Sequence, residues 1–192
     1  MWTKGHELKY WNKNGLQKGE GIYLKYFDAF DLGQYDFDSK VVVDLGCGPF
    51  GGIFSCLKND NSKLIPMDIL AEEYNKMNVC DQEILSCDLN DKISLDDSSC
   101  DYVICTNAID HIDSVSHGFD EIYRILKVGA TAFIHVHLRT KEQLNKAHIH
   151  QLDKEMLMKY CSKFDTIKMH IGDDWVNDRP DRVAAYMVLE KK

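Results

Sequence analysis

Residues 41–52 read VVVDLGCGPFGG. The first five have the β-branched, apolar character of a strand buried on both faces. They run into Gly46, Gly48 and Gly51, spaced G-x-G-x-x-G, and GGIFSCLKN from residue 51 has the pattern of a helix start. Glycines at such a strand–turn–helix junction allow a tight turn and let a ligand approach the backbone with no Cβ in the way. The N–H groups at the start of the next helix are suited to receive an anionic group. This unit predicts an α/β fold.

Working outward, apolar strings alternate with helical or turn-like stretches. KLIPM (63–67), EILSC (83–87), DYVIC (101–105) and ATAFIHVHL (130–138) read as strands. Helices are predicted near 70–77 and over 116–127, where Phe119, Ile122, Tyr123, Leu126 and Lys127 bound one face. A helical stretch at 141–147 and a helix over 153–162, capped by Asp153, come next. Two more strands, near 165–171 and 182–190, close the chain. Strands alternating with helices imply a parallel sheet, and the closing pair predicts an antiparallel strand at the sheet's edge. Upstream, Ile22, Tyr23, Tyr26, Phe27 and Phe30 follow helical spacing over 19–31, ending near Gly33. The expected organisation is an N-terminal helical or lid segment over 1–40, then one ligand-binding domain over 40–192. Trp2, Tyr10 and Trp11 add to the aromatic content of the first segment.

Composition narrows the functional classes. With 44% hydrophobic and 28% charged residues and three prolines, the 192-residue chain suits one folded domain rather than a disordered segment. The N-terminus lacks the apolar core of a signal peptide, and no apolar run approaches the ~18 residues of a membrane span. Seven cysteines form no C-x-x-C pair and sit in apolar strings, as Cys56 and Cys105 do, which fits reduced thiols in the cytoplasm. A formal net charge of −8 argues against a nucleic-acid grip and favours a small-molecule substrate. Oligomeric state is not legible.

The G-x-G-x-x-G spacing alone fits NAD, FAD or S-adenosylmethionine. Asp44, two residues before the first glycine, sits in an apolar strand where a carboxylate is costly without a partner. It would repel a pyrophosphate and attract the ammonium of a methionyl group. Asp68 ends the second strand, 24 residues after Asp44, where an acid suits a ribose diol. Asp88 follows the third, placed to accept from an adenine amine with Leu89 beside the ring. In a parallel sheet these strand ends line one crevice.

On these motifs the sequence resembles the class I S-adenosylmethionine-dependent methyltransferases. DLGCGPFGG is similar to that family's first motif, MDIL to its second-strand acidic motif and CDLN to its adenine-contacting motif. ISLDDSSCDYVICTNAIDHI and EIYRILKVGATAFI resemble the stretches around the fourth and fifth strands. The resemblance runs from about residue 40 to 138. It implies a Rossmann-like three-layer sandwich whose seven-stranded, mostly parallel sheet has an antiparallel last strand. It also implies S-adenosylmethionine as cofactor. Asp44, Gly46, Cys47 and Gly48 would hold the methionyl part, Asp68 and Ile69 the ribose and adenine edge, and Cys87, Asp88 and Leu89 the adenine. Asn107 would lie near the sulfonium. CTNAID stands where base-amine methyltransferases carry [DN]PP[YF], which argues against that acceptor class.

Methyl transfer is an in-line displacement, so positioning supplies much of the rate, and a base is needed only where the acceptor loses a proton. His111, beside Asp110 after the fourth strand, and His137, which shares a face of the fifth strand with His135, are the candidate bases. Arg139 is a candidate clamp for an acceptor carboxylate or phosphate, and Tyr23 and Tyr26, with Trp11, are candidates for an aromatic wall. His148-x-His150 adds a second H-x-H pair, but no third ligand has recognisable metal-site spacing, so no metal is expected. The reading is methyl transfer to oxygen or nitrogen of a small molecule. A NAD-dependent oxidoreductase, a non-catalytic binding module with the same fold, and an RNA or protein acceptor remain open.

Overall fold

A computed structural model describes residues 4–12, 21–53, 61–145 and 148–192. Trp2, Cys56 and the helix expected after the glycine loop, beyond Ile53, lie outside them. Short α1 (Lys4–Tyr10) and α2 (Gly21–Ala29) precede β1 (Val41–Leu45). Then follow β2 (Lys63–Asp68), α3 (Ala71–Met77), β3 (Leu85–Ser86), β4 (Cys100–Thr106), α4 (Val115–Ile125) and β5 (Leu126–Leu138). The chain closes with α5 (Lys154–Tyr160), β6 (Phe164–Asp174) and β7 (Arg179–Lys191).

The seven strands form one sheet in the order β3-β2-β1-β4-β5-β7-β6. β1 to β5 pair in parallel, and β7 runs antiparallel to both β5 and β6. The antiparallel strand is therefore an inner one, inserted between β5 and β6, and not the edge strand that the closing pair suggests. Alternate residues of the central strands serve opposite faces. Val43, Val103, Ala132 and Met187 pack with α4 and α5 residues such as Phe119, Ile122 and Leu157. Val42, Ile104, Phe133 and Val188 pack with Tyr23, Tyr26 and Phe30 of the N-terminal region. Burial on both faces explains why these strands read as unbroken apolar strings.

Three expected boundaries differ for local reasons. The fourth helix stops at Ile125 and the chain passes directly into β5, so Leu126 and Lys127 are strand residues. Leu126 pairs with Cys100, and the Lys127 ammonium donates to the Asp101 carboxylate at 2.9 Å. The third strand shrinks to Leu85–Ser86 because the side-chain amide of Asn75 takes both backbone groups of Ile84, at 2.9 Å each. The helical stretch at 141–147 is a single 3₁₀ turn, Lys141–Gln143, and residues 146 and 147 lie outside the description. Asp153 caps α5 as expected, accepting from the Met156 N–H at 2.9 Å. Among the described residues, no helix is long and apolar enough to cross a membrane.

Candidate functional site

The C-terminal end of β1 delivers Asp44, Gly46, Cys47 and Gly48 to the crevice beside β2 and β4. Gly46 and Cys47 donate their N–H groups to the Met67 carbonyl at 2.8 and 3.2 Å, which pins the turn to β2. Gly46 has φ 73°, and a Cβ there would lie 2.3 Å from the Cβ of Ala108. Only glycine lets the turn after β4 press against the loop this closely.

Asp44 is fully buried. Its Oδ2 accepts from the Ile53 N–H at 2.9 Å, while Oδ1 has no hydrogen-bond partner among the described residues. Burial pushes its carboxyl up to about 8; the Ile53 N–H pulls it down and the Asp68 charge pushes it further up. A buried carboxylate oxygen left unpaired costs free energy until a donor arrives. An ammonium group meets that need, and a pyrophosphate does not. The residues present therefore fit the methionyl end of S-adenosylmethionine.

Asp68 ties the glycine loop to the end of β2: its Oδ2 accepts from the Gly48 N–H at 3.0 Å and its Oδ1 from the Leu70 N–H at 2.8 Å. Burial raises it to about 6 against the pull of those two bonds. Each of its oxygens keeps a further lone pair for a hydroxyl donor. Ile69 packs with Cys47, Leu70, Ala71, Tyr74 and Ile84, the cluster that also takes in Leu8 and Trp11. Cys87 is buried at the end of β3, with Leu89 packed against the same core. Asp88 is half-buried, and its Oδ1 accepts from both the backbone and the side chain of Asn90. Asn107 is exposed at φ 54°, its N–H bonded to the His135 carbonyl at 3.1 Å.

A second group of polar side chains lies beyond the turn that touches Gly46. His135 and His137 project from one face of β5, as their spacing predicts, toward the β6–β7 hairpin. There Asp174, fully buried, accepts from His137 Nε2 at 2.8 Å, from the Asn177 amide at 2.9 Å and from the Tyr186 hydroxyl at 3.2 Å. Burial alone would raise Asp174, but His135, His137 and Asn177 outweigh it and hold the carboxyl well below the usual range. On the other side, Asp110 Oδ2 lies 3.7 Å from His137 Nδ1 and 3.5 Å from His148 Nδ1. The rings of His111 and His148 are 4.4 Å apart, and His111 is half-buried. Burial pushes the His137 imidazole down, but Asp110 and Asp174 more than reverse this, so it sits above its ordinary value. His148 is lowered by its own burial. Both Asp110 oxygens, Nδ1 of His137 and His148, and Nε and Nη2 of Arg139 are buried without a hydrogen-bond partner among the described residues. Arg139 ends half-buried beside this group.

The N-terminal aromatics divide in two. Tyr26 is a core residue, its hydroxyl 3.3 Å from His135 Nδ1 and accepting from Asn177 at 3.0 Å. Tyr23 donates to the Cys47 carbonyl at 3.1 Å, and Trp11 stands with it over Gly48. Asp174 was missing from the sequence reading. Its position in the hairpin, next to a register irregularity at Asp173/Asp174, carries no local signal that it turns inward.

Comparison with known proteins follows this geometry. Residues 43–134 match the family model described as a methyltransferase domain. A search of curated proteins found no significant match. Among solved structures, a chain from a Haloferax volcanii complex between the Trm112 methyltransferase activator and a methyltransferase is 17% identical, TM-score 0.71, with 96% of this chain and 97% of that one covered. A SAM-dependent methyltransferase from Aquifex aeolicus is 14% identical, TM-score 0.65, with 98% and 100% covered. A geranyl diphosphate C-methyltransferase from Streptomyces coelicolor, solved with Mg2+, geranyl diphosphate and S-adenosyl-L-homocysteine, is 13% identical, TM-score 0.66, with 86% and 76% covered. At these identities the structural likeness shows the shared fold.

Proposed function

We propose that this chain, an S-adenosylmethionine-dependent methyltransferase of class I by its domain and fold, methylates an oxygen or nitrogen atom of a small molecule. The observation that carries the reading is the contact of Gly46 with Ala108, which sets the loop for the methionyl end directly against the turn bearing Asp110 and His111.

The cofactor supplies an electrophilic methyl carbon on a sulfonium, which the acceptor's lone pair attacks as the carbon–sulfur bond breaks to leave a neutral thioether. Asp44 Oδ1 takes the ammonium, Gly46, Cys47 and Gly48 give backbone approach, and Asp68 takes the ribose hydroxyls. Ile69, Cys87, Asp88 and Leu89 border the adenine, and Asn107 the sulfonium. On the acceptor side, the group of Asp110, His111 and His148 handles a proton where the acceptor must lose one. His137, raised above its ordinary value by the carboxylates of Asp110 and Asp174, serves as a positioning residue for Asp110. The unpaired Arg139 nitrogens support a clamp on an acceptor carboxylate or phosphate. Tyr23 and Trp11 support a lid role for the N-terminal segment over the glycine loop. Free thiols at all six described cysteines support a reducing compartment such as the cytoplasm.

The test is a calorimetric titration of the purified protein with S-adenosylmethionine, S-adenosylhomocysteine and NADH, followed by an acceptor screen over metabolites, RNA and peptides. Binding of the first two without NADH is expected. Asp44→Ala and Asp68→Ala should each weaken the cofactor tenfold or more, about 1.4 kcal/mol. Unchanged affinity in both, or transfer to RNA or peptide alone, removes the corresponding part of the reading.

A further inference from the structure

We propose that Asp110, His111 and His148 form a binding site for one first-row divalent transition-metal ion, zinc being the type case. One donor atom from each of the three side chains lies within 4.8 Å of the other two. Metal–ligand bonds of about 2.0–2.2 Å set neighbouring ligand atoms roughly 3.0–3.6 Å apart. The Asp110 Oδ2 to His148 Nδ1 separation of 3.5 Å matches that spacing. Asp110 is 3% exposed, and among the described residues neither its oxygens nor His148 Nδ1 makes a hydrogen bond, the two side chains meeting only at ion-pair distance. Buried polar atoms are rarely left so, and several converging on one point need a ligand that accepts lone pairs from all of them. A cation at this point accepts a lone pair from each of the three side chains.

The surroundings fit an ion as well. His137 Nδ1 lies 3.7 Å from the same Asp110 oxygen, and His137 is itself fixed by Asp174 at 2.8 Å, an outer layer of the kind that orients a ligating carboxylate. The neighbouring group of His135, His137 and Asp174 is the weaker candidate, because Asp174 already accepts from His137, Asn177 and Tyr186. Two imidazoles and one carboxylate suit zinc, cobalt, nickel or ferrous iron, whereas magnesium and calcium prefer oxygen ligands throughout. Three protein ligands leave a position open. For its role, though not for its existence, this inference rests on the proposed methyl transfer. With an ion bound, the three side chains would act on the proton through the metal and not as bases: the ion would hold the acceptor's hydroxyl or amine and acidify it, its proton passing to solvent.

The experiment strips the full-length protein with a chelator and titrates it with Co2+ while recording visible absorption, with Mg2+ as a parallel probe. One equivalent of cobalt should produce the ligand-field bands of a low-coordinate, nitrogen-ligated ion, and Mg2+ should not compete for it. Asp110→Asn and His148→Ala should each weaken cobalt binding tenfold or more. His117→Ala, at a half-buried histidine outside the group, should leave it unchanged. Cobalt should raise the melting temperature of the parent protein and not of Asp110→Asn, with circular dichroism confirming that each variant is folded. Absence of the bands in a protein that still binds S-adenosylhomocysteine overturns the metal site alone. Bands that persist in both ligand variants, or vanish with His117→Ala, overturn the assignment of ligands.

Discussion

At the scale of single residues, Asp44 is where folding and ligand binding oppose each other. Its carboxyl, raised to about 8 by burial, carries a proton near pH 7, and an ammonium group arriving at Oδ1 favours the ionised form. Cofactor binding should therefore release a proton, and the affinity should rise as pH goes from 6 to 8. Calorimetry at pH 7 in phosphate and in Tris would show enthalpies differing by nearly one buffer ionisation, and Asp44→Asn should abolish the difference. Identical enthalpies in the two buffers for the parent protein would mean that Asp44 does not meet the ammonium. This residue was legible because an acid inside an apolar strand, two places before a glycine loop, has few structural uses. Asp88 sits in an equally suggestive place, yet one of its oxygens closes a turn on Asn90. Sequence does not say which carboxylates a turn will occupy.

At the scale of elements, the β6–β7 hairpin supplies what β5 cannot supply alone. It brings Asp174 under His135 and His137, and removing that charge leaves an imidazolium with one partner fewer in a buried place. Breaking such a pair costs about 3–5 kcal/mol, so Asp174→Asn should lower the melting temperature by several degrees. The pH dependence follows from two opposite shifts. Asp174 is depressed, so its contribution is present above the ordinary carboxylate range and fades as pH falls through its folded value. His137 is raised, so its contribution is complete below its ordinary 6.5 and fades as pH rises through its higher folded value. The stability gap between parent and variant should be widest between about pH 5 and 6 and narrow toward pH 9. A gap independent of pH would show that the pair is not ionised. The central strands β1, β2, β4 and β5 were readable because burial on both faces leaves unbroken apolar strings. β3 was overread, since Asn75 rather than a neighbouring strand satisfies Ile84. Asp174 escaped notice because two-residue alternation fails at the irregularity beside it.

At the scale of the whole molecule, access to the glycine loop depends on the first residues of the chain. Trp11 and Tyr23 stand over Gly48, and Leu8 and Trp11 pack with Leu70 and with Cys47 and Ile69, the latter two assigned to the cofactor by motif. A ligand that lies along the backbone at Gly48 needs the space next to Trp11, so the 4–12 segment must shift as the cofactor enters and can close again behind it. Burying an aromatic ring of this size against an apolar cluster is worth about 1.5–3 kcal/mol, enough to slow both passage in and passage out. Trp11→Ala should therefore speed cofactor association and dissociation together, several-fold each, with a smaller change in affinity. Stopped-flow displacement of a fluorescent S-adenosylhomocysteine analogue can follow this in both proteins, since the signal then comes from the ligand and survives the substitution. An unchanged dissociation rate in Trp11→Ala would reduce the N-terminal helix to packing, and the crevice would then open by movement of another element.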